Sequence, residues 1–130
     1  MLDEEVEMMH GYRDLKIYDR SYKAALAIYR LTEAFPETEK YGLTNQIKRA
    51  SVSIPLNVAE GHAKRESQAE FKRFLMMAIG SANEVSVLLD FAKDLKLITA
   101  EQHSKANAEY EEIGKMLNGL IKTVSQKSSI

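Results

Sequence analysis

The first residues to weigh for chemistry are three histidines, His10, His62 and His103, because imidazole both ligates metals and exchanges protons near neutral pH. A zinc site of the His-Glu-x-x-His kind needs two of them on one helical face, and that motif is missing. A di-iron carboxylate site needs a Glu-x-x-His pair repeated on two helices, and the repeat is absent. With no cysteine in the chain, disulfides, thiolate metal sites and a cysteine nucleophile are excluded. Gly61 and Gly80 stand singly in helical surroundings, so no glycine-rich loop is available to cradle phosphates. These observations predict a protein without catalytic residues, metal or cofactor. His103 reads as a core or bundle-end histidine rather than a ligand.

Charge placement is more informative. Between positions 48 and 73 the six cations Lys48, Arg49, Lys64, Arg65, Lys72 and Arg73 face only the three carboxylates of Glu60, Glu66 and Glu70. Residues 1–14 carry Asp3, Glu4, Glu5, Glu7 and Asp14 against Arg13 alone, so the formal net charge of -1 hides two opposed regions. The cations form a candidate contact surface for the phosphates of RNA or DNA. No aromatic residue is interleaved with them to stack a base, which argues against sequence-specific recognition. The alternative is an ordinary solvated corner.

The elements that must carry these residues follow from hydrophobic spacing. A first helix is predicted from an N-cap at Asp14 to Phe35, before Pro36. It has one apolar stripe through Ile17, Ser21, Ala24, Ile28, Leu31 and Phe35, and a second through Leu15, Tyr18, Tyr22, Ala25 and Tyr29. An isolated bundle helix needs one such stripe, so Tyr18, Tyr22 and Tyr29 are candidate subunit contacts. The second helix carries Leu43, Ile47, Ala50, Ile54 and Val58 on one side, with Val52 and Leu56 as further candidate contacts on the other. Pro55 lies inside it and predicts a kinked but continuous helix to about Gly61 or a few residues beyond, with Ser51, Ser53 and Asn57 able to satisfy freed backbone groups.

Ser67-Gln68-Ala69-Glu70 and Thr99-Ala100-Glu101-Gln102 fit capping boxes and open the third and fourth helices. The third has its seam at Phe71, Leu75, Ala78, Ala82, Val85, Leu89 and Ala92, flanked by Phe74, Met77, Leu88, Phe91 and Leu95. The fourth has its seam at His103, Ala106, Tyr110, Ile113, Leu117, Leu120 and Val124. Short connections make successive helices antiparallel neighbours, giving an all-α, up-down-up-down four-helix bundle over residues 14–125. Residues 1–13 read as a flexible acidic segment and 126–130 as a frayed tail. At 130 residues, 45% hydrophobic and 28% charged, one domain is expected. No run of apolar residues is long enough for a membrane span, and the acidic start lacks the pattern of a secretory signal, so the expected location is the cytoplasm.

The stretch Tyr41-Gly42-Leu43-Thr44-Asn45-Gln46-Ile47-Lys48-Arg49-Ala50, continuing to Pro55-Leu56-Asn57-Val58-Ala59-Glu60-Gly61, resembles the hallmark of the bacterial 23S ribosomal RNA intervening-sequence proteins, also called four helix bundle proteins. Asp14-Leu15-Lys16, Phe35-Pro36, Arg73-Phe74-Leu75 and Ala78-Ile79-Gly80-Ser81 extend the likeness over residues 12 to about 122. The resemblance implies a ring-shaped homopentamer of antiparallel bundles. It implies no reaction, and it includes a related branch that binds nucleic acid while assisting the reverse transcriptase of diversity-generating retroelements. After the hallmark, His62-Ala63 replaces the more usual aromatic and glycine, which disfavours a positive-φ turn at Ala63. Gln46 and Asn57 are expected as polar groups at helix contacts, and Gly61 as the helix stop. The combined reading is a non-enzymatic homo-oligomeric binding or scaffold module for structured RNA. Its alternative is an adaptor for an unknown protein partner, without nucleic acid.

Overall fold

Four helices make up most of residues 11–127, the part of the chain that the computed structural model describes. They are α1 (Lys16–Thr32), α2 (Leu43–Ala63), α3 (Gln68–Asp94) and α4 (Ala100–Lys127), with single 3-10 turns at Tyr12–Asp14 and Glu37–Glu39. Each helix packs on the next and α4 returns to α1. Contacts along the seams run antiparallel. Gly61 near the end of α2 abuts Phe71 and Phe74 at the start of α3, while mid-helix Ser53 meets Ser81. His103 in the first turn of α4 pairs with Asp90 near the end of α3, at 2.7 Å. The expected up-down-up-down bundle is therefore present, with no strand among the described residues.

Between the helices lies one apolar core. Ile28, Ile47, Ile54, Val58, Leu75, Val85, Leu89, Ile113 and Leu117 are at most 2% exposed. The α3 seam is buried at Leu75, Ala78, Ala82, Val85, Leu89 and Ala92, and Phe71 is half-buried. By length and composition α3 could cross a membrane, with a window of mean hydropathy 1.4. In the bundle it lies instead between α2 and α4.

Helix boundaries expose where local signals were overridden. Asp14 is not the cap of α1: it ends the first 3-10 turn, and the cap position falls on extended Leu15 without a side-chain cap bond. At its other end α1 stops at Thr32, three residues short of the expectation, and the Phe35 amide donates to the Thr32 carbonyl at 3.0 Å. Helix α2 runs unbroken through buried Pro55. The hydroxyls of Ser51 and Ser53 donate to the Lys48 and Ala50 carbonyls, and Asn57 Nδ2 donates to the Ser53 carbonyl at 2.8 Å, so polar side chains bond backbone carbonyls in the turns around the proline. The helix ends at Ala63, within the expected bound, but Gly61 is not itself the stop, because it lies inside the last turn.

Of the two capping boxes, one is complete. The Thr99 amide donates to Gln102 Oε1 at 2.8 Å and the Gln102 amide to Thr99 Oγ1 at 3.0 Å. At α3 the Glu70 amide donates to Ser67 Oγ at 3.2 Å, but the Glu70 carboxylate pairs with Arg73 instead of reaching back. The Ser67 amide is satisfied by the Lys64 carbonyl. Helix α4 extends through Lys127, so residues 126 and 127, expected in a frayed tail, are helical. Of the expected flexible N-terminal segment, Tyr12 and Arg13 belong to the first 3-10 turn; residues 1–10 and 128–130 lie outside the described residues.

Candidate nucleic-acid interface

The connection between α2 and α3 is four residues long, Lys64 to Ser67, and it turns without a positive φ, Lys64 having φ -107°. This tight corner gathers cations around one ring. Lys64 Nζ lies 4.9 Å from the centre of the Phe74 ring and Arg73 Cζ 4.4 Å from it. Arg65 Nη1 donates to the His62 carbonyl at 2.9 Å, at the end of α2, where the Arg65 amide also donates to it at 3.2 Å. Lys64, Arg65 and Arg73 are exposed and Lys72 is half-buried. Arg73 is also held by Glu70, through Nε at 2.9 Å and Nη2 at 3.2 Å. That charge-assisted hydrogen bond keeps the Glu70 carboxyl below its usual range.

Behind the corner sits His62, 4% exposed, with Nε2 lacking a hydrogen-bond partner. Burial, reinforced by the nearby Arg65 charge, pushes its pKa below the ordinary histidine value. A neutral imidazole there adds no charge to the corner.

The structure does not bring all six cations together. Lys48 and Arg49 lie sixteen residues back along α2, about 24 Å along the axis at 1.5 Å per residue. Lys48 is half-buried with its ammonium 4.8 Å from the centre of the Tyr29 ring. Arg49 instead lines a notch of about 300 Å³ with Asn45, Gln46, Ser53 and Glu84, where a carboxylate shares the space. The expected patch thus separates into the α2–α3 corner and a mixed-charge notch.

The proposed subunit contacts are outward-facing. Tyr22 is 49% exposed, Tyr29 43% and Leu56 59%, while Tyr18 and Val52 are half-buried. Tyr18 stacks on Tyr22, ring centres 5.9 Å apart, and takes the edge of Tyr12 at 4.8 Å. Leu26, 43% exposed and between Tyr22 and Tyr29 on the same face, was missed because it fits neither of the stripes read from sequence. Helix α3 leaves Met76, Met77, Val87, Phe91 and Leu95 exposed, whereas Phe74 and Leu88 are buried. No cluster of three potential metal-ligating side chains occurs among the described residues. A single Glu-x-x-His, Glu7 to His10, lies outside them.

Comparison with known proteins places this geometry. A crystal structure of a protein of unknown function from the S23 ribosomal protein family of Bacteroides thetaiotaomicron VPI-5482 superposes with a TM-score of 0.75 at 31% identity, covering 82% of this chain and 98% of that one. No curated protein matches. The family profile described as 23S rRNA-intervening sequence protein matches residues 13–119, which takes in α1, α2 and α3 and α4 as far as Gly119. This chain belongs to the 23S rRNA-intervening sequence protein family.

Proposed function

We propose that the protein is a non-enzymatic binding or scaffold module that assembles into a ring-shaped homopentamer and presents the α2–α3 corner to the phosphates of structured RNA without base specificity. The observation that carries this reading is the trio Lys64, Arg65 and Arg73, exposed yet restrained on the Phe74 ring and the His62 carbonyl. A cation already held in place loses less side-chain freedom when it meets a phosphate. One subunit offers few such contacts and binds weakly at physiological salt. Repetition around a closed ring turns them into a multivalent surface. The exposed Tyr22 and Leu56 support self-association, since soluble monomers rarely leave contiguous apolar faces in water.

Replacing Lys64, Arg65, Lys72 and Arg73 together with glutamine tests the RNA reading. Affinity for a generic structured RNA should fall and its salt dependence should flatten; an unchanged affinity and slope would remove the corner. A protein-adaptor role draws on a different observation, the exposed Met76, Met77, Val87, Phe91 and Leu95 of α3. Absence of RNA binding by the parent protein at low salt would favour it.

A further inference from the structure

Helices α1 and α4 meet less closely than the other neighbouring pairs, and between them runs an open groove of about 1010 Å³. Its cause is side-chain size: Ala24, Ala27 and Ala106 stand where larger residues would close the seam. Tyr110, also in the lining, is 3% exposed, and its hydroxyl has no hydrogen-bond partner among the described residues. Buried hydroxyls are normally partnered, so this one marks a polar position left open beside an apolar floor. Six cationic side chains line the groove against three carboxylates. Arg20 is held by Glu109 at 2.8 Å and Lys23 by Asp19 at 3.0 Å, which leaves Lys16, Arg30 and Lys105 outside the ion pairs of the described residues.

The placement of those three cations decides what the groove fits. From Leu15 to Leu31 it follows α1 for about 24 Å. Lys16 and Arg30 stand towards its two ends and Lys105 on the opposite wall, so positive charge is strung along the groove instead of gathered at one point. A lipid-like carboxylate has a single charged head and would leave most of that charge unanswered. An extended peptide could match the charge but not the walls, which are helices with their backbone groups already paired and offer its amides and carbonyls no ladder. A helix satisfies its own backbone and sets carboxylates on either side of an apolar stripe.

We propose that the α1–α4 groove is the docking site for an acidic amphipathic helix of a partner protein, about sixteen residues long at 1.5 Å per residue. Its apolar stripe lies on the alanine floor and its flanking carboxylates meet Lys16, Arg30 and Lys105. Burial of the stripe supplies affinity, and the line of opposite charge sets orientation and excludes basic helices. The inference is independent of the RNA reading, because the groove and the α2–α3 corner lie on different helix pairs.

The probe is a synthetic helical peptide of that length, with leucines on one face, glutamates beside them and one tryptophan among the leucines, which reports alone because this chain has none. With the full-length protein its emission should shift to the blue, and its affinity should fall as salt rises. Lys16→Glu, Arg30→Glu and Lys105→Glu together should weaken binding by about tenfold or more, each attraction becoming a repulsion. Ala27→Leu with Ala106→Leu fills the floor without touching the charges and should weaken it as well, while circular dichroism confirms that the helices persist. A peptide with lysines in place of the glutamates should bind far more weakly. Glutamine at Lys64, Arg65, Lys72 and Arg73 should leave binding of the acidic peptide unchanged. Failure of that peptide to bind, indifference to the groove substitutions, or loss through the corner substitutions would each overturn the proposal. So would a fall in the light-scattering mass of the protein when the three charges are reversed, which would give the groove to a second copy of the chain.

Discussion

Two glycines that look alike in the sequence do opposite work. A Cβ on Gly61 would meet Phe74 Cβ at 3.0 Å and Phe71 Cδ1 at 3.1 Å, whereas one on Gly80 would find nothing within 4 Å. Gly61→Ala should therefore destabilise the protein by about 1–3 kcal/mol, as overpacking does, against the helix-propensity gain. Gly80→Ala should stabilise it by up to ~1 kcal/mol. Urea unfolding of both variants checks the pair, and equal signs would contradict it. His62 makes a pH prediction: burial and Arg65 lower its folded pKa below 6.5, so the unfolded chain takes up a proton first as pH falls. Stability should be complete above about pH 6.5 and decline below it. His62→Gln should flatten the decline, with Tm measured from pH 8 to 5 as the readout. Acid loss of the Glu70–Arg73 contribution begins lower, below the ordinary glutamate value of 4.5, and so separates from it.

Helix starts were legible where a cap needs only its own neighbours, as at Ser67 and Thr99. Pro55 was legible as an interior proline because the apolar pattern continues on both sides of it. Helix ends were less so. Helix α3 closes through a Schellman motif in which the Leu97 amide donates to the Ala92 carbonyl at 2.8 Å and the Lys96 amide to the Lys93 carbonyl at 2.9 Å. The left-handed position that usually signals this motif by a glycine is Lys96, φ 62°, so the sequence held no marker. Strain of about 1 kcal/mol is stored there. Lys96→Gly should raise stability by roughly 0.5–1 kcal/mol, and an unchanged or lower denaturation midpoint would show the lysine to be unstrained. Gly61 was misread for a related reason: its role depends on which helix crosses it, and that crossing is a tertiary fact.

At the scale of the molecule, adjacency along the chain proved a poor guide to adjacency in space. Lys48 and Arg49 share a helix with the α2–α3 corner yet lie about 24 Å from it, and the α1–α4 groove could not be read from periodicity, which gives faces but not gaps. The two-sided character of α1 did survive folding. Tyr29 over Lys48 aligns α1 and α2 antiparallel, which sets Leu26 level with Ser51 and Tyr22 level with Pro55, one residue from Val52 and Leu56. One outward surface thus joins Tyr22, Leu26 and Tyr29 to Leu56, each more than 40% exposed. An aspartate at Tyr22 costs an isolated subunit little, because surface substitutions usually fall within about 0.5 kcal/mol. Placed inside a subunit contact, the same carboxylate would be stripped of water without a partner, a penalty of several kcal/mol repeated at every interface of a ring. Tyr22→Asp should therefore lower the light-scattering mass from a multiple of 14.7 kDa towards 14.7 kDa while helical circular dichroism is kept. Tyr41→Asp, at an 87% exposed residue in the turn before α2, should leave the mass unchanged. A parent protein of 14.7 kDa at micromolar concentration would overturn the ring altogether, and an intact oligomer in Tyr22→Asp would move its interface off the tyrosine face, leaving the exposed α3 stripe as the next surface to substitute.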